Sequence, residues 1–175
     1  MMKVAVSQPD YIPWKGYFDI IHDVDVFVFY SDVQYTKLDW RSRNVIKTHN
    51  GNLWLSVPTG QHHLDRLIHE VEIKDSSWQR KHYQALKLSY SKAPYFKLYD
   101  DFLQDVYLAR QWDNLCALDC YMTEYIAKNF LGITTQFADS RDFSSHGSKN
   151  EKLLSLLSAI LLTGGGGHLL VRPCC

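Results

Sequence analysis

The sequence predicts an α/β protein with a mostly parallel sheet, opened by a βαβ unit and carrying a hairpin insertion and a helical middle. Three observations predict it. Lys3–Ser7 is a short run with β-branched Val4 and Val6; a loop, a helix-length stretch and a second apolar run at Val26–Tyr30 follow. Strand, tight loop, short helix and strand in so short a span favour parallel pairing. Asn50-Gly51 lies between the runs Val45–Lys47 and Leu53–Val57, and Asn-Gly in that setting is a strong hairpin signal because both residues tolerate positive φ. Between Ser77 and Phe130, apolar residues recur at helical spacing.

Each element has a local reason. In the loop Gln8–Gly16, Pro9 and Pro13 push their predecessors away from helix. Tyr17–His22 reads as a helix that turns Phe18 and Ile21 inward. Asp32–Asn44 is a polar and aromatic loop, Pro58–Arg66 a histidine-containing loop, and Ile68–Ile73 alternates like an edge or paired strand. Asp75 or Ser76 can cap a helix over Ser77–Tyr90, with Trp78, Tyr83, Leu86 and Tyr90 at helical spacing. Pro94 suits the start of a helix over Tyr95–Leu108. Asp113–Phe130 is the most amphipathic stretch and Gly132 marks its end. Ile133–Phe137 returns as a strand, Ser140–Ser148 is a polar loop, and a helix starts at Lys149. Residues 1–154 are thus expected to form the α/β domain. The segment 155–175, with four consecutive glycines, is expected to be a poorly ordered tail produced by truncation or an altered reading frame.

Composition narrows the function classes. The chain has 175 residues, with 19 Lys+Arg against 19 Asp+Glu. A zero net charge argues against a general binder of nucleic acid or membrane surface, since both rely on a basic surplus. No apolar run approaches the length of a bilayer span, and the N-terminus lacks a signal-peptide core, so a cytoplasmic protein is expected. Cys116 and Cys120 lie one helical turn apart with no second ligand pair and read as buried thiols. Cys174 and Cys175 match neither a prenylation box nor a metal site. His62, His63, Asp65 and His69 form no metal-ligand pattern and read as a surface loop. No Walker loop, nucleophile elbow or dinucleotide fingerprint is present, so the cofactor is left unassigned.

Two loops could carry chemistry. Gln8, Asp10, Tyr11, Trp14 and Lys15 crowd polar and aromatic groups into the loop after the first strand, where open α/β sheets place ligands. The alternative is a rigid loop whose aromatics plug the core. After the second strand, Gln34, Tyr35, Lys37, Trp40, Arg41, Arg43 and Asn44 follow Asp32. Lys37, Arg41, Arg43 and Lys47 gather four positive charges into eleven residues, and guanidinium forks match phosphate or carboxylate. The alternative there is a solvated charged loop. Because both loops follow neighbouring strands, they are expected to face one crevice.

The runs Val4–Ile21, Asp25–Lys37 and Trp40–Asn44, together with Leu53–Pro58, Tyr90–Tyr99 and Leu131–Ile133, resemble the WbqC-like protein family. The resemblance covers roughly Lys3 to Leu154, and from Ser155 onward the family pattern is not matched. It implies a place among bacterial genes for O-antigen and other surface polysaccharides. The family's opening is similar to nucleotide-binding folds related to nucleotidylyltransferases, but their His-x-Gly-His element is replaced here by Tyr11-Ile-Pro-Trp14. The expected function is therefore group transfer on a nucleotide-linked sugar, a small-molecule substrate. In that reading Lys37, Arg41 and Arg43 hold phosphates and Trp40 or Tyr35 stacks on base or sugar. Asp10 or Asp32 is the general base and Gln8 orients the substrate, with Tyr11, Trp14, Lys15, Gln34 and Asn44 as further contacts. The alternatives are a non-catalytic binding or scaffold protein of the same pathway, or an inactive fragment.

Overall fold

The computed structural model of the chain describes residues 2–60 and 66–163. In chain order its main elements are β1 (Val4–Ser7), α1 (Lys15–His22), β2 (Val26–Phe29), β3 (Arg43–Thr48), β4 (Gly51–Ser56), α2 (Ser77–Tyr90), α3 (Phe96–Gln104), α4 (Leu115–Tyr125), β5 (Gln136–Asp139) and α5 (Asn150–Thr163). The fold is α/β. Its contacts divide it into two compact units, the first comprising Met1–Pro9, Pro13–Val33 and Thr123–Cys175, the second Asp10–Ile12 and Gln34–Met122.

The first unit is built on a three-stranded parallel sheet of order β1-β2-β5. Val4 pairs with Val26 and Ser7 with Phe29, while Phe29 also pairs with Asp139. The period-2 alternation of the strands sends their side chains to opposite faces. On one face Val4, Val6 and Val28 pack with Leu156, Leu157 and Ile160 of α5. On the other, Phe27 meets Tyr17 of α1 with ring centroids 5.4 Å apart, and Phe29 stacks on Phe137 at 5.7 Å. Tyr17 and Ile21, not Phe18, are the buried residues of α1. Ser155–Thr163 therefore belongs to a packed helix, where the sequence suggested a poorly ordered tail. Leu153, Leu156, Leu157 and Ile160 recur at i, i+3, i+4 and i+7, so the run carries one apolar stripe and leaves Leu154 and Ser158 outside. Residues 164–175 lie outside the described residues.

The second unit holds the hairpin and the helical middle. β3 and β4 pair antiparallel from Arg43↔Ser56 to Thr48↔Gly51. Only Gly51 of the turn takes a positive φ, 105°, a conformation that costs a residue without Cβ little. Thr48 closes the turn by donating from Oγ1 to the Gly51 carbonyl at 2.8 Å. Asp75 starts α2 by accepting the Ser77 N–H at 2.8 Å. The helices predicted over Tyr95–Leu108 and Asp113–Phe130 each end in a π-helical turn, at Asp105–Ala109 and Ile126–Phe130. Ile68–Ile73 is a 3₁₀ turn at Ile68–Glu70 followed by isolated bridges at Glu72 and Ile73 instead of a strand. Its buried residues are Ile68, Val71 and Ile73, and Glu70 turns back to accept the Leu67 N–H at 3.0 Å. The returning strand is shifted to Gln136–Asp139, and Thr135 just before it donates its hydroxyl to the Ile21 and Val24 carbonyls.

Candidate functional site

The second unit contains a buried cluster of ionisable side chains. Tyr11 is fully buried, its N–H donates to the Trp40 carbonyl at 2.9 Å, and Asn44 Nδ2 donates to the Tyr11 and Ile12 carbonyls. This fastening brings Asp10 and Tyr11 of the first predicted loop beside Arg41 of the second. Burial pushes the Asp10 carboxyl up to about 6, with the Arg41 guanidinium opposing that rise. Arg41 is pushed down by its own burial, against the pull of Asp10, Tyr35 and Asp119. Its Nη1 pairs with Asp39 and donates to Thr36 Oγ1, while its buried Nε has no hydrogen-bond partner.

Asp119 completes this cluster from α4. It is 0% exposed, and neither carboxylate oxygen has a hydrogen-bond partner. Burial, then the nearby Cys116 and Asp10, raise its carboxyl far above the ordinary range, although Arg41 pulls the other way. The physical result is one carboxyl whose protonated form burial favours beside another pushed up to about 6. Such a split between two carboxyls is what acid–base chemistry requires.

A second chain of groups adjoins it. Tyr11 Oη lies 2.7 Å from His82 Nδ1 and 2.7 Å from Tyr107 Oη. Burial lowers His82 to about 4, against a hydrogen bond with the Ser56 main chain. His82 is therefore neutral, and a ring N–H given to the Ser56 carbonyl leaves Nδ1 as an acceptor. Tyr11 then donates to His82 and accepts from Tyr107. Burial also raises both phenols, so neither ionises near neutrality. Tyr107 additionally lines a cleft of about 640 Å³ with Gln79, Arg80, Tyr83 and Arg110.

The hairpin presents an aromatic and cationic face. Trp40 and Trp54 stack at 6.0 Å with 26° between their planes, and the two are 55% and 50% exposed. The Arg43 guanidinium sits 4.6 Å from the Trp54 ring centre. Arg43, Val45, Lys47, Asn52 and Trp54 share this face by strand alternation. Lys37 and Gln34 are exposed and Tyr35 is buried, its hydroxyl 3.3 Å from Thr59 Oγ1.

The remaining predicted residues lie in the first unit. The Gln8 carbonyl accepts from Tyr17 Oη at 2.8 Å. Trp14 precedes α1 and is 66% exposed; a Cβ on Gly16 would fall 2.1 Å from its ring, so a larger residue there requires the exposed indole to move. Trp14 and Lys15 border a groove of about 950 Å³ with Phe18, Leu131 and Ile133. Asp32 pairs with Lys152 Nζ at 2.7 Å and accepts from Ser140 Oγ at 2.5 Å. Burial raises its carboxyl, but Lys152 and Ser140 together bring it below the ordinary value. A carboxylate so held is a weak base. Asp139, alongside, is gripped by the Arg141 fork at 2.8 and 2.9 Å. Of the two predicted bases, Asp10 is the one poised to titrate.

Asp119, His82, Tyr107 and Trp54 are absent from the sequence-predicted set. A signal for two of them exists in the helices: Asp119 falls on the buried stripe of Leu115, Leu118 and Met122, and His82 on that of Trp78, Gln79 and Tyr83. A charged residue on an apolar stripe is uncommon without a partner. His62, His63 and Asp65 lie outside the described residues. Among the described residues no three His, Cys, Asp or Glu side chains gather as round a metal ion, and no helix is long and apolar enough to cross a membrane.

The model of the WbqC-like protein family matches residues 8–164. This chain belongs to that family. The match reaches ten residues beyond Leu154 and takes in α5, so the family pattern does not stop at Ser155. An uncharacterized protein of Mycobacterium tuberculosis (strain ATCC 25618 / H37Rv), Rv1507c, is 43% identical over 159 residues, covering 89% of this chain and 68% of the relative. No solved structure matches.

Proposed function

We propose that this WbqC-like chain is an enzyme of bacterial surface-polysaccharide biosynthesis that transfers a group on a nucleotide-linked sugar. The observation that carries the reading is the Trp40–Trp54 stack with Arg43 over Trp54. An exposed indole offers a flat apolar face to a base or a sugar ring. A guanidinium stacked on an indole keeps its N–H edge for a phosphate. Arg43 suits that task better than Arg41, because Arg41 spends Nη1 on Asp39 and Thr36. Lys37 and Lys47 add positive charge in the same segment. Asp10 is the general base: a carboxylate pushed up to about 6 is ionised at neutral pH yet basic enough to take a proton from an attacking hydroxyl.

Isothermal titration with a panel of nucleotide sugars and free nucleotides tests the reading. Arg43→Ala is expected to weaken binding by about 1.5–3 kcal/mol, the range for a hydrogen bond to a charged group. Trp54→Ala is expected to cost about 1–3 kcal/mol through lost stacking. Asp10→Asn is expected to abolish turnover, while binding to the hairpin face persists. Unchanged affinity in both hairpin variants overturns the assignment of this face. Full turnover by Asp10→Asn removes Asp10 as the general base, whereas binding without turnover in the wild type is what a scaffold protein would show.

A further inference from the structure

We propose that Asp10, Arg41 and Asp119 form a binding site for one neutral hydroxyl group of a pyranose. The three come from separate parts of the second unit, the loop after β1, the segment before β3, and α4. Two of them carry unmet hydrogen-bonding demand. Both oxygens of the fully buried Asp119 are without a partner, and so is the buried Nε of Arg41. Leaving a buried polar atom unpaired is unfavourable, so such groups in a folded protein signal a missing partner. Asp10 is only half-buried, which leaves the cluster a route to solvent.

The chemistry of the partner follows from what each group requires. The Arg41 Nε–H is a donor and needs an acceptor. Asp10 is a carboxylate near neutrality and needs a donor. Asp119, whose protonated form burial favours, offers in that form one O–H and accepts at its other oxygen. A phosphate or carboxylate could accept from Arg41, but it has no proton for Asp10 and is repelled by it. An ammonium could donate to Asp10 but cannot accept from Arg41. A hydroxyl does both at once: its oxygen accepts from Arg41 or Asp119 while its hydrogen points to Asp10. Water is the smallest group that also satisfies this pattern, and the experiment separates the two.

The inference rests on the nucleotide-sugar reading only for the choice of a sugar as probe. The carboxyl carbons of aspartate are labelled with ¹³C in the full chain, and the Asp10 resonance is identified as the one missing from Asp10→Asn. Glucose, galactose, mannose and N-acetylglucosamine are then titrated singly. A saturable displacement of the Asp10 resonance by at least one sugar is expected, with a roughly tenfold weaker response in Asp119→Leu, which removes both the donor and the acceptor, as for one lost hydrogen bond. Should Asp119→Leu fail to fold, Arg41→Lys takes its place, since an ammonium cannot reproduce the Nε contact. An Asp10 resonance that none of the sugars moves overturns the proposal and leaves the cluster holding water alone. Repeating the titration in Trp54→Ala separates the two readings. A response that survives there while nucleotide-sugar binding is lost keeps both. A response in the wild type without any nucleotide-sugar affinity keeps the hydroxyl site and sinks the nucleotide reading.

Discussion

Asp10 and His82 are both displaced by burial, in opposite senses, and stability should record the opposition. Asp10 rises from 3.8 to about 6. Across that interval the native state keeps a proton that the unfolded chain has released, so the Asp10 contribution falls as pH rises through the window. His82 drops from 6.5 to about 4. There the unfolded chain takes up a proton that the native ring refuses, and the His82 contribution is lost as pH falls. Each is on the order of 1–3 kcal/mol, and over pH 4–6 they oppose one another. Asp10→Asn should therefore lose more stability than the wild type when acidified from about pH 6.5 to about pH 4.5, by that order. His82→Asn should lose less. Urea unfolding of the three proteins at both pH values checks the signs. Identical pH dependence in wild type and Asp10→Asn would mean that its carboxyl is not displaced. The tyrosines beside them add no charge near neutrality, because burial holds Tyr11 and Tyr107 protonated.

At the scale of elements, α5 makes the clearest demand. Leu156 is 0% exposed in the core with Val4, Val6 and Val28. Leu156→Ala should cost about 2–5 kcal/mol through lost transfer energy and the cavity left behind. Leu154→Ala, on the opposite side and 65% exposed, should stay within about 0.5 kcal/mol. Thermal unfolding of the two variants compares them directly, and equal midpoints would show that α5 does not hold the sheet. This helix was hard to read because Leu153–Leu162 is apolar on several sides and runs into four glycines, which hides its stripe. The first strands and the hairpin were legible for the contrary reason. Val4–Ser7 and Val26–Phe29 are buried nearly throughout and carry β-branched or aromatic side chains, and Asn50-Gly51 specifies its own turn. Ile68–Ile73 misled because alternation over six residues is also compatible with a 3₁₀ turn followed by an extended stretch. In the candidate site, Asp10, Tyr11 and Arg41 could be found from local density of polar groups. Asp119 and His82 could not, since each is isolated in sequence and becomes notable only as a polar residue on a buried helical face.

The division into two units was illegible for a related reason. No composition shift marks Val33/Gln34, and the return to the first unit falls at Met122/Thr123, inside α4. A sequence reading therefore sees one domain with a helical middle. Charge behaves differently at this scale. With 19 cationic and 19 anionic side chains, the molecule has no net charge to draw anions toward it. Any anion site depends on local cations, and Lys37, Arg43 and Lys47 provide them beside the Trp40–Trp54 stack. Two consequences can be measured together. Nucleotide-sugar affinity should fall only a few-fold between about 50 mM and about 300 mM salt, because a few exposed contacts are screened over ~10 Å or less and stacking is not. A random-sequence DNA duplex should show no binding at about 150 mM salt, since retention of a polyanion requires many neutralised phosphates. Fluorescence anisotropy with labelled duplex, run beside the calorimetric titrations, reads both. Tight duplex binding with a steep salt slope would show that the basic segment serves a polyanion, and the hairpin face would then belong to nucleic-acid recognition instead of a sugar nucleotide.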